Sequence, residues 1–231
     1  MAQTQGNFPN YATFNPPDAR LSNVPSPFPL VADVAREHEL AVFTMLDVGC
    51  NAGELTVAIA ERVREALPAT VRLVVRGIDL DAELIERAQA SFGCDRDGLS
   101  ISFAARDIAA EPLDAERDAA DLVVIASVTM WLHLTHGDDV LRRLLDDVRA
   151  ASRYLLLTEL HTWDHYRKAR KRLRKLGQPD AFPRWDSLEW RVDVEERVRM
   201  RLSGDGELPV VADFGGTHWK RRVLLHRRAA R

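Results

Sequence analysis

The chain has little cysteine: Cys50 and Cys94 are the two it contains. That excludes a disulfide framework and any cysteine-based metal spacing. One thiol sits in a glycine turn, and both are expected to be the reduced thiols of an intracellular protein, cytoplasmic with a nuclear site also open. Long hydrophobic runs are missing too. None approaches the roughly 18 residues of a membrane-spanning helix, so no membrane span is expected. The opening Met1-Ala2-Gln3-Thr4-Gln5-Gly6 has no basic region followed by an apolar one, and no secretory signal is expected. No sign of charge dominates: the net charge is −3, so composition alone does not announce a nucleic-acid protein. A Gly-x-Gly-x-x-Gly run is also absent, which argues against a dinucleotide pyrophosphate site and hence against a dehydrogenase. No internal repeat and no second domain boundary interrupt the 231 residues, a length that suits one α/β domain with a sizeable core.

What is present is organised around Met45-Leu46-Asp47-Val48-Gly49-Cys50-Asn51-Ala52-Gly53-Glu54-Leu55-Thr56. An apolar run ends in an acid, a glycine-bracketed turn follows, and an apolar-periodic segment begins. That order predicts strand, tight turn and helix N-terminus. Gly49 and Gly53 let the backbone approach a bound molecule, and the free N–H groups of the helix start favour an anion. An ordinary strand–helix turn has the same outline, but the Gly-x-x-x-Gly spacing resembles motif I of the class I S-adenosylmethionine (SAM) methyltransferases.

Alternating elements flank this turn. Residues 1–29 are rich in Pro, Asn and aromatics, and are expected to form an ordered arm lying on a single domain of residues 30–231. A short helix over 30–40 is followed by a strand at Val42–Val48 and a helix to Ala66, stopped by Pro68. The second strand, Val71–Asp79, ends in an acid 30 residues beyond Gly49. A carboxylate there can accept both hydrogen bonds of a ribose diol. Asp79 can equally cap the helix Ala82–Phe92, but Asp81 serves that purpose as well, which frees Asp79 for a ligand. A third strand at Ser100–Ala104 precedes Asp107, which is either a turn residue or a reader of an adenine amino group. The fourth, Asp121–Ala126, is almost wholly apolar, as a buried parallel strand should be. Residues 127–139 follow as a loop with a Trp, two His and several hydroxyls, an expensive set to bury without purpose, although Trp131 and Leu134 can also be core with the His residues satisfied locally. No acid or thiolate clusters with His133 and His136, so no metal site is expected. A helix at Val140–Ala151, a fifth strand at Arg153–Thr158, a helix over 186–202, and a hairpin of Leu208–Phe214 and Trp219–His226 around Gly215-Gly216 complete the pattern.

Seven of the nine residues from Arg167 to Lys175 are Lys or Arg, inside a helix expected over 162–177. Its apolar residues Tyr166, Ala169, Leu173 and Leu176 share one face. The rest of the run from Arg167 to Lys175 is cationic with no interleaved acid. A solvated surface helix has this form too, but a phosphate-rich partner is the preferred reading.

Several stretches together resemble the RNA 5′-phosphate methyltransferases, the family of the bicoid-interacting protein and of a small nuclear RNA methylphosphate capping enzyme. They are Asn10-Tyr11 with Phe14-Asn15-Pro16-Pro17-Asp18-Ala19-Arg20-Leu21, the turn Leu46–Gly53, the loop Ser127–Asp138, Arg172-Leu173-Arg174-Lys175-Leu176-Gly177, and Phe214-Gly215-Gly216-Thr217-His218-Trp219. The match is nearest to the 5′-monophosphate branch, which methylates histidine tRNA and some precursor microRNAs. The resemblance implies a class I (Rossmann-like) α/β doubly wound sheet with a C-terminal antiparallel hairpin, SAM as methyl donor and an RNA 5′-phosphate as acceptor. It implies a cofactor site lined by Arg20, Gly49, Asn51, Asp79, Asp107, Ile108 and Ala126. In it Arg20 would pair with the methionyl carboxylate, Asp79 would hold the ribose, and Asp107 and Ile108 would flank adenine. The acceptor phosphate is expected among Thr129, His133 and His136, with Tyr11 near the first nucleotide and Arg167, Arg170 and Arg174 along the RNA backbone. One departure stands out: the family's Glu-Pro-Gln-Pro-Trp is here Glu159-Leu160-His161-Thr162-Trp163. Two other readings share parts of this pattern. A methyltransferase for small molecules or proteins needs the glycine turn but not the basic helix, and a non-catalytic RNA-binding module needs no intact cofactor motifs.

Overall fold

The computed structural model describes residues 13, 15–26, 28–96, 98–178 and 180–230. Its centre is a sheet of eight strands: β1 (Val42–Val48), β2 (Arg72–Asp79), β3 (Cys94–Arg96), β4 (Leu99–Ala105), β5 (Ala120–Ala126), β6 (Ser152–Glu159), β7 (Val210–Gly216) and β8 (Arg222–Arg227). The spatial order is β3-β4-β2-β1-β5-β6-β8-β7. β4, β2, β1, β5 and β6 run parallel, and β8 returns antiparallel between β6 and β7. This is the doubly wound sheet with a C-terminal hairpin that the alternation of elements predicts. The chain leaves β1 first toward β2 and later toward β5, so the switch in winding falls beside the carboxyl end of β1, where ligands sit in such sheets.

Side-chain alternation sorts the strands onto two buried layers. Phe43 and Met45 of β1 and Leu122 and Val124 of β5 face one cluster, while Leu46, Val48, Val123 and Ile125 face the other. The first layer is covered by α2 (Val31–Glu37) and α3 (Glu54–Ala66), the second by α5 (Thr129–His136), α6 (Asp138–Ala151), α7 (Trp163–Lys175) and α8 (Val194–Ser203). α4 (Ala82–Phe92) packs against β4 and β2, and a short α1 (Pro17–Arg20) begins the described chain.

The connection 127–139, expected as a loop, is mostly the helix α5. Met130, Trp131, Leu132 and Leu134 are buried there, and this apolar packing decides the conformation of a stretch with mixed local preferences. The helix expected over 186–202 starts only at Val194. Before it, Trp185–Ser187 is a 3₁₀ turn, and the Asp138 carboxylate accepts the backbone N–H groups of Glu189 and Trp190, each at 2.9 Å, which holds that segment extended. The hairpin turns at Thr217–Arg221 rather than at Gly215-Gly216, because the Thr217 N–H donates to the Arg221 carbonyl at 2.8 Å and closes the turn there. The edge strand β3 was not anticipated.

Residues before α2 are part of the packing. Leu21, Val24 and Phe28 join the cluster of Val31, Val34, Ile59 and Val63. The Phe28 N–H donates to the Arg62 carbonyl, and the Arg62 guanidinium donates to the carbonyls of Leu21 and Val24. Phe28 is 2% exposed. Phe28→Ala should therefore destabilise the protein by about 3–5 kcal/mol in urea unfolding. A loss near zero would show that this segment does not contribute to the fold.

Candidate active site

A cleft of about 1060 Å³, including its mouth, opens at the carboxyl ends of β1, β2, β4 and β5. Its walls are the turn after β1, the ends of β2 and β5, the segment after β4, the first turn of α3, one side of α5, and the residues Asn15, Pro17 and Arg20. The β1 turn is made by hydrogen bonds from the Gly49 and Cys50 N–H groups to the Ile78 carbonyl at 2.8 and 3.0 Å. Gly49 has φ +78°, and a Cβ there would meet Val128 Cγ2 at 2.2 Å, so only glycine lets the two walls approach. Among the described residues no side chain caps α3, whose first turn faces the cleft through Glu54 and Leu55.

Asp79 accepts the Asn51 N–H on Oδ2 at 2.9 Å and the Asp81 N–H on Oδ1 at 3.0 Å, and burial raises its pKa. Asp81, not Asp79, caps α4 by accepting from Glu83 and Leu84. Asp107 accepts the Ala109 N–H at 2.9 Å, the turn role, and also lines the cleft. Asp47 lies on the floor beneath the turn, where burial pushes its pKa up to about 6 although the Thr56 hydroxyl donates to it at 2.6 Å. Burial likewise pushes the Cys50 thiol well up, with Asp47 and Asp79 adding to the effect, so this thiol is unreactive.

All seven residues expected around a cofactor, Arg20, Gly49, Asn51, Asp79, Asp107, Ile108 and Ala126, lie on this one cleft. The expected acceptor residues divide. His136 lines the cleft. His133 and Thr129 do not: they are 0% and 3% exposed. His133 Nδ1 meets the Tyr166 hydroxyl at 3.1 Å and Nε2 meets Asp138 Oδ1 at 3.2 Å, so its ring joins α5, α6 and α7. Burial lowers its pKa against the pull of Asp138. It is a structural histidine, which corrects the expectation of a phosphate contact; Thr129 is turned away from the cleft by the winding of α5. Tyr11 lies outside the described residues.

Arg167, Arg170 and Arg174 form a second surface with Lys171, Lys175 and Trp185. Trp185 stacks on Trp163 at 4.8 Å, and the Arg170 guanidinium covers it at 4.5 Å. Gly177, at φ +77°, ends α7, with Gln178 N–H on the Leu173 carbonyl and Gly177 N–H on that of Arg174. Arg172 lies 5.7 Å over the ring of Trp131, which lines the cleft, so the basic helix abuts the cleft rim.

A buried node that the sequence did not reveal stands behind the β5 wall. Glu159 accepts from Arg20 and, at 2.6 Å, from the Ser127 hydroxyl. Arg221 donates to the same hydroxyl at 2.9 Å. Burial would raise the Glu159 pKa, but Arg20, Arg221 and Ser127 together hold it below its ordinary value. Ser127 was findable as the residue at the end of a central strand. Arg221 was not, since only the antiparallel return of β8 brings it here.

Residues 120–227 match the family model described as Bicoid-interacting protein 3 (Bin3), and residues 45–151 match a methyltransferase-domain model. A pre-miRNA 5′-monophosphate methyltransferase of Danio rerio is 36% identical over 250 aligned residues, covering 98% of this chain and 93% of that one. The RNA 5′-monophosphate methyltransferase of Homo sapiens is 33% identical, covering 96% and 80%. Among solved structures, magnesium protoporphyrin IX methyltransferase from Synechocystis PCC 6803 with bound SAM has a TM-score of 0.51 at 14% identity, over 87% of this chain and 76% of that one. The plantazolicin methyltransferase BpumL reaches 0.56 at 12% identity, over 96% and 89%. These two share the fold.

His133→Ala should lower stability by about 2–4 kcal/mol, because it leaves a cavity and strands the Tyr166 hydroxyl. His136→Ala, at the half-buried cleft wall, should change it by about 0.5 kcal/mol or less. Chemical denaturation of the two variants checks this, and the reverse ranking would contradict the structural assignment of His133.

Proposed function

The chain belongs to the Bicoid-interacting protein 3 family of RNA 5′-monophosphate methyltransferases, and we propose that its cleft holds SAM while α7 holds the RNA whose 5′-monophosphate is methylated. The observation that carries this reading is the junction at Trp131: one wall of the cofactor cleft is also the seat of a basic helix. A polyanion lying on α7 thereby has its end directed at the cleft.

The residues present fit the cofactor. The glycine turn gives close approach, the uncapped first turn of α3 favours a carboxylate, and Asp79 presents a buried carboxylate for a ribose diol, while Arg20 lines the cleft with Nε and Nη2 paired to Glu159 rather than left for the methionyl carboxylate. When bound, SAM supplies a methyl group on a sulfonium that is its own leaving group. A phosphate monoester has its second pKa near 6, so the attacking oxygen is already anionic at neutral pH. No side chain has to remove a proton. The protein's work is alignment of the phosphate against the cleft, a proximity effect, and attraction of a dianion without burying its attacking oxygen in a hydrogen bond.

The decisive assay uses labelled SAM and one short hairpin RNA bearing a 5′-hydroxyl, a 5′-monophosphate or a 5′-triphosphate. Transfer to the monophosphate and none to the hydroxyl is expected. Equal transfer to the hydroxyl form would place the acceptor on a base or ribose and overturn the reading. For the basic helix, replacing Arg167, Arg170 and Arg174 together by Glu should weaken RNA binding and reduce its logarithmic salt slope by about 2–3, with SAM affinity unchanged. An unaltered slope in salt-titrated binding would remove α7 from the RNA path.

A further inference from the structure

Of Thr129, His133 and His136, first expected around the acceptor phosphate, only His136 lines the cleft, since His133 and Thr129 are committed to the interior. The node behind Ser127 supplies a set with the right chemistry. We propose that Arg221 and His161 form the subsite for the acceptor 5′-phosphate, with Glu159 and Ser127 as the positioning residues that aim Arg221. The proposal rests on the methyl-transfer reading above.

Ser127 follows β5 on the cleft wall, and it adopts φ +65°, a conformation unfavourable for a residue with a Cβ. In that conformation its hydroxyl donates to Glu159 and accepts from Arg221. Glu159 is one carboxylate shared by two guanidiniums. Its Oε2 is taken by Arg20 and Ser127, while Oε1 stands 3.8 Å from Arg221 and has no hydrogen-bond partner among the described residues. Arg221 is therefore steered by the node through the Ser127 hydroxyl and a longer ion pair with Glu159. The turn that carries it is fixed at both ends: Lys220 N–H donates to the Thr217 carbonyl at 2.7 Å, and His165 Nε2 meets the Trp219 carbonyl at 2.8 Å. The Arg221 side chain is 12% exposed, so it is held firmly yet reaches the surface.

His161 gives the independent observation. It is 3% exposed, and neither ring nitrogen has a hydrogen-bond partner among the described residues. Its ring lies 5.4 Å from that of His165. Burial, followed by the nearby charge of Arg221, holds it neutral. A sealed imidazole with no partner is unfavourable, and an anion beside Arg221 would relieve it by accepting its N–H. His161 also stands where the family pattern has glutamine, another side chain that donates a hydrogen bond. A guanidinium and a neutral N–H donor can take two phosphate oxygens and leave the third for attack.

The test measures binding of the hairpin RNA with 5′-monophosphate against 5′-hydroxyl ends, together with SAM affinity by calorimetry and the KM and kcat of methyl transfer. Arg221→Met is expected to cut the monophosphate preference by about tenfold or more, the scale of a lost charge-assisted pair, with SAM affinity within about twofold. His161→Ala should raise KM for RNA more than it lowers kcat, and His161→Gln should restore it. A monophosphate preference that survives both Arg221→Met and His161→Ala would overturn the proposal. So would a loss of SAM affinity in Arg221→Met, which would assign the guanidinium to the cofactor. If Arg221→Met does not fold, Arg221→Lys and His161→Ala decide by the same ratio. A wild-type protein with no monophosphate preference would instead refute the methyl-transfer reading itself.

Discussion

Glu159 is the carboxylate on which the architecture around the cleft depends. Sheet register puts it there: β6 aligns it with Ala126 on one side and with Val223 on the other. The residues just beyond those partners, Ser127 and Arg221, are thereby brought to the same line, and Arg20 reaches it from the first described helix. Four stretches distant in sequence meet at one buried acid. A buried carboxylate is tolerable only when its neighbours make good the lost hydration, and here two guanidiniums and a hydroxyl do so. The same contacts hold the segment around Arg20 over the cleft and set the orientation of the hairpin turn.

The local signals in the sequence were sufficient for the sheet apart from the edge strand β3 and the hairpin's turn, and for one side of the cleft. The glycine turn, the acid ending β2 and the acid after β4 each announce themselves through neighbours within a few residues, and the cleft gathers all of them. The opposite wall was less legible because its conformation is decided by tertiary packing. The stretch after β5 looked like a loop from its mixed composition, yet burying Trp131 and Leu134 makes it a helix, and the helix turns His133 inward. Once inward, the ring finds Asp138, five residues on, and Tyr166, which is distant in sequence. The shortened helix at Val194 has the same origin, since Asp138, already bonded to His133, also holds the backbone of Glu189 and Trp190. A single misjudged element thus accounts for both departures.

Charge distribution connects fold and substrate. A net charge of −3 conceals a helix whose exposed face is cationic over two turns. Its apolar face is satisfied by Tyr166, Ala169 and Leu173 in the core, while Arg170 and Arg172 lie over Trp185 and Trp131. Self-repulsion among the cations is an electrostatic penalty, modest in water and salt. A polyphosphate partner, as proposed for this helix, would convert that penalty into attraction, and the path from α7 through Arg172 and Trp131 leads to the cleft.

The protonation states follow the same chemical logic. His133, His161 and His165 are all held below the ordinary histidine range by burial, and the Cys50 thiol is pushed well up. Groups so shifted are poor proton carriers near neutrality. In a hydrolase or a hydroxyl methyltransferase that would be a defect, because the nucleophile must lose a proton. A phosphate monoester brings its nucleophilic oxygen already deprotonated, and a proton carrier close by would only compete for that oxygen. In the proposed subsite, neutral imidazole and guanidinium would hold a dianion by donation and leave its attacking lone pair unprotonated. Asp47, pushed up to about 6 on the cleft floor, is engaged by the Thr56 hydroxyl, and an acceptor that brings its own anion asks nothing of it.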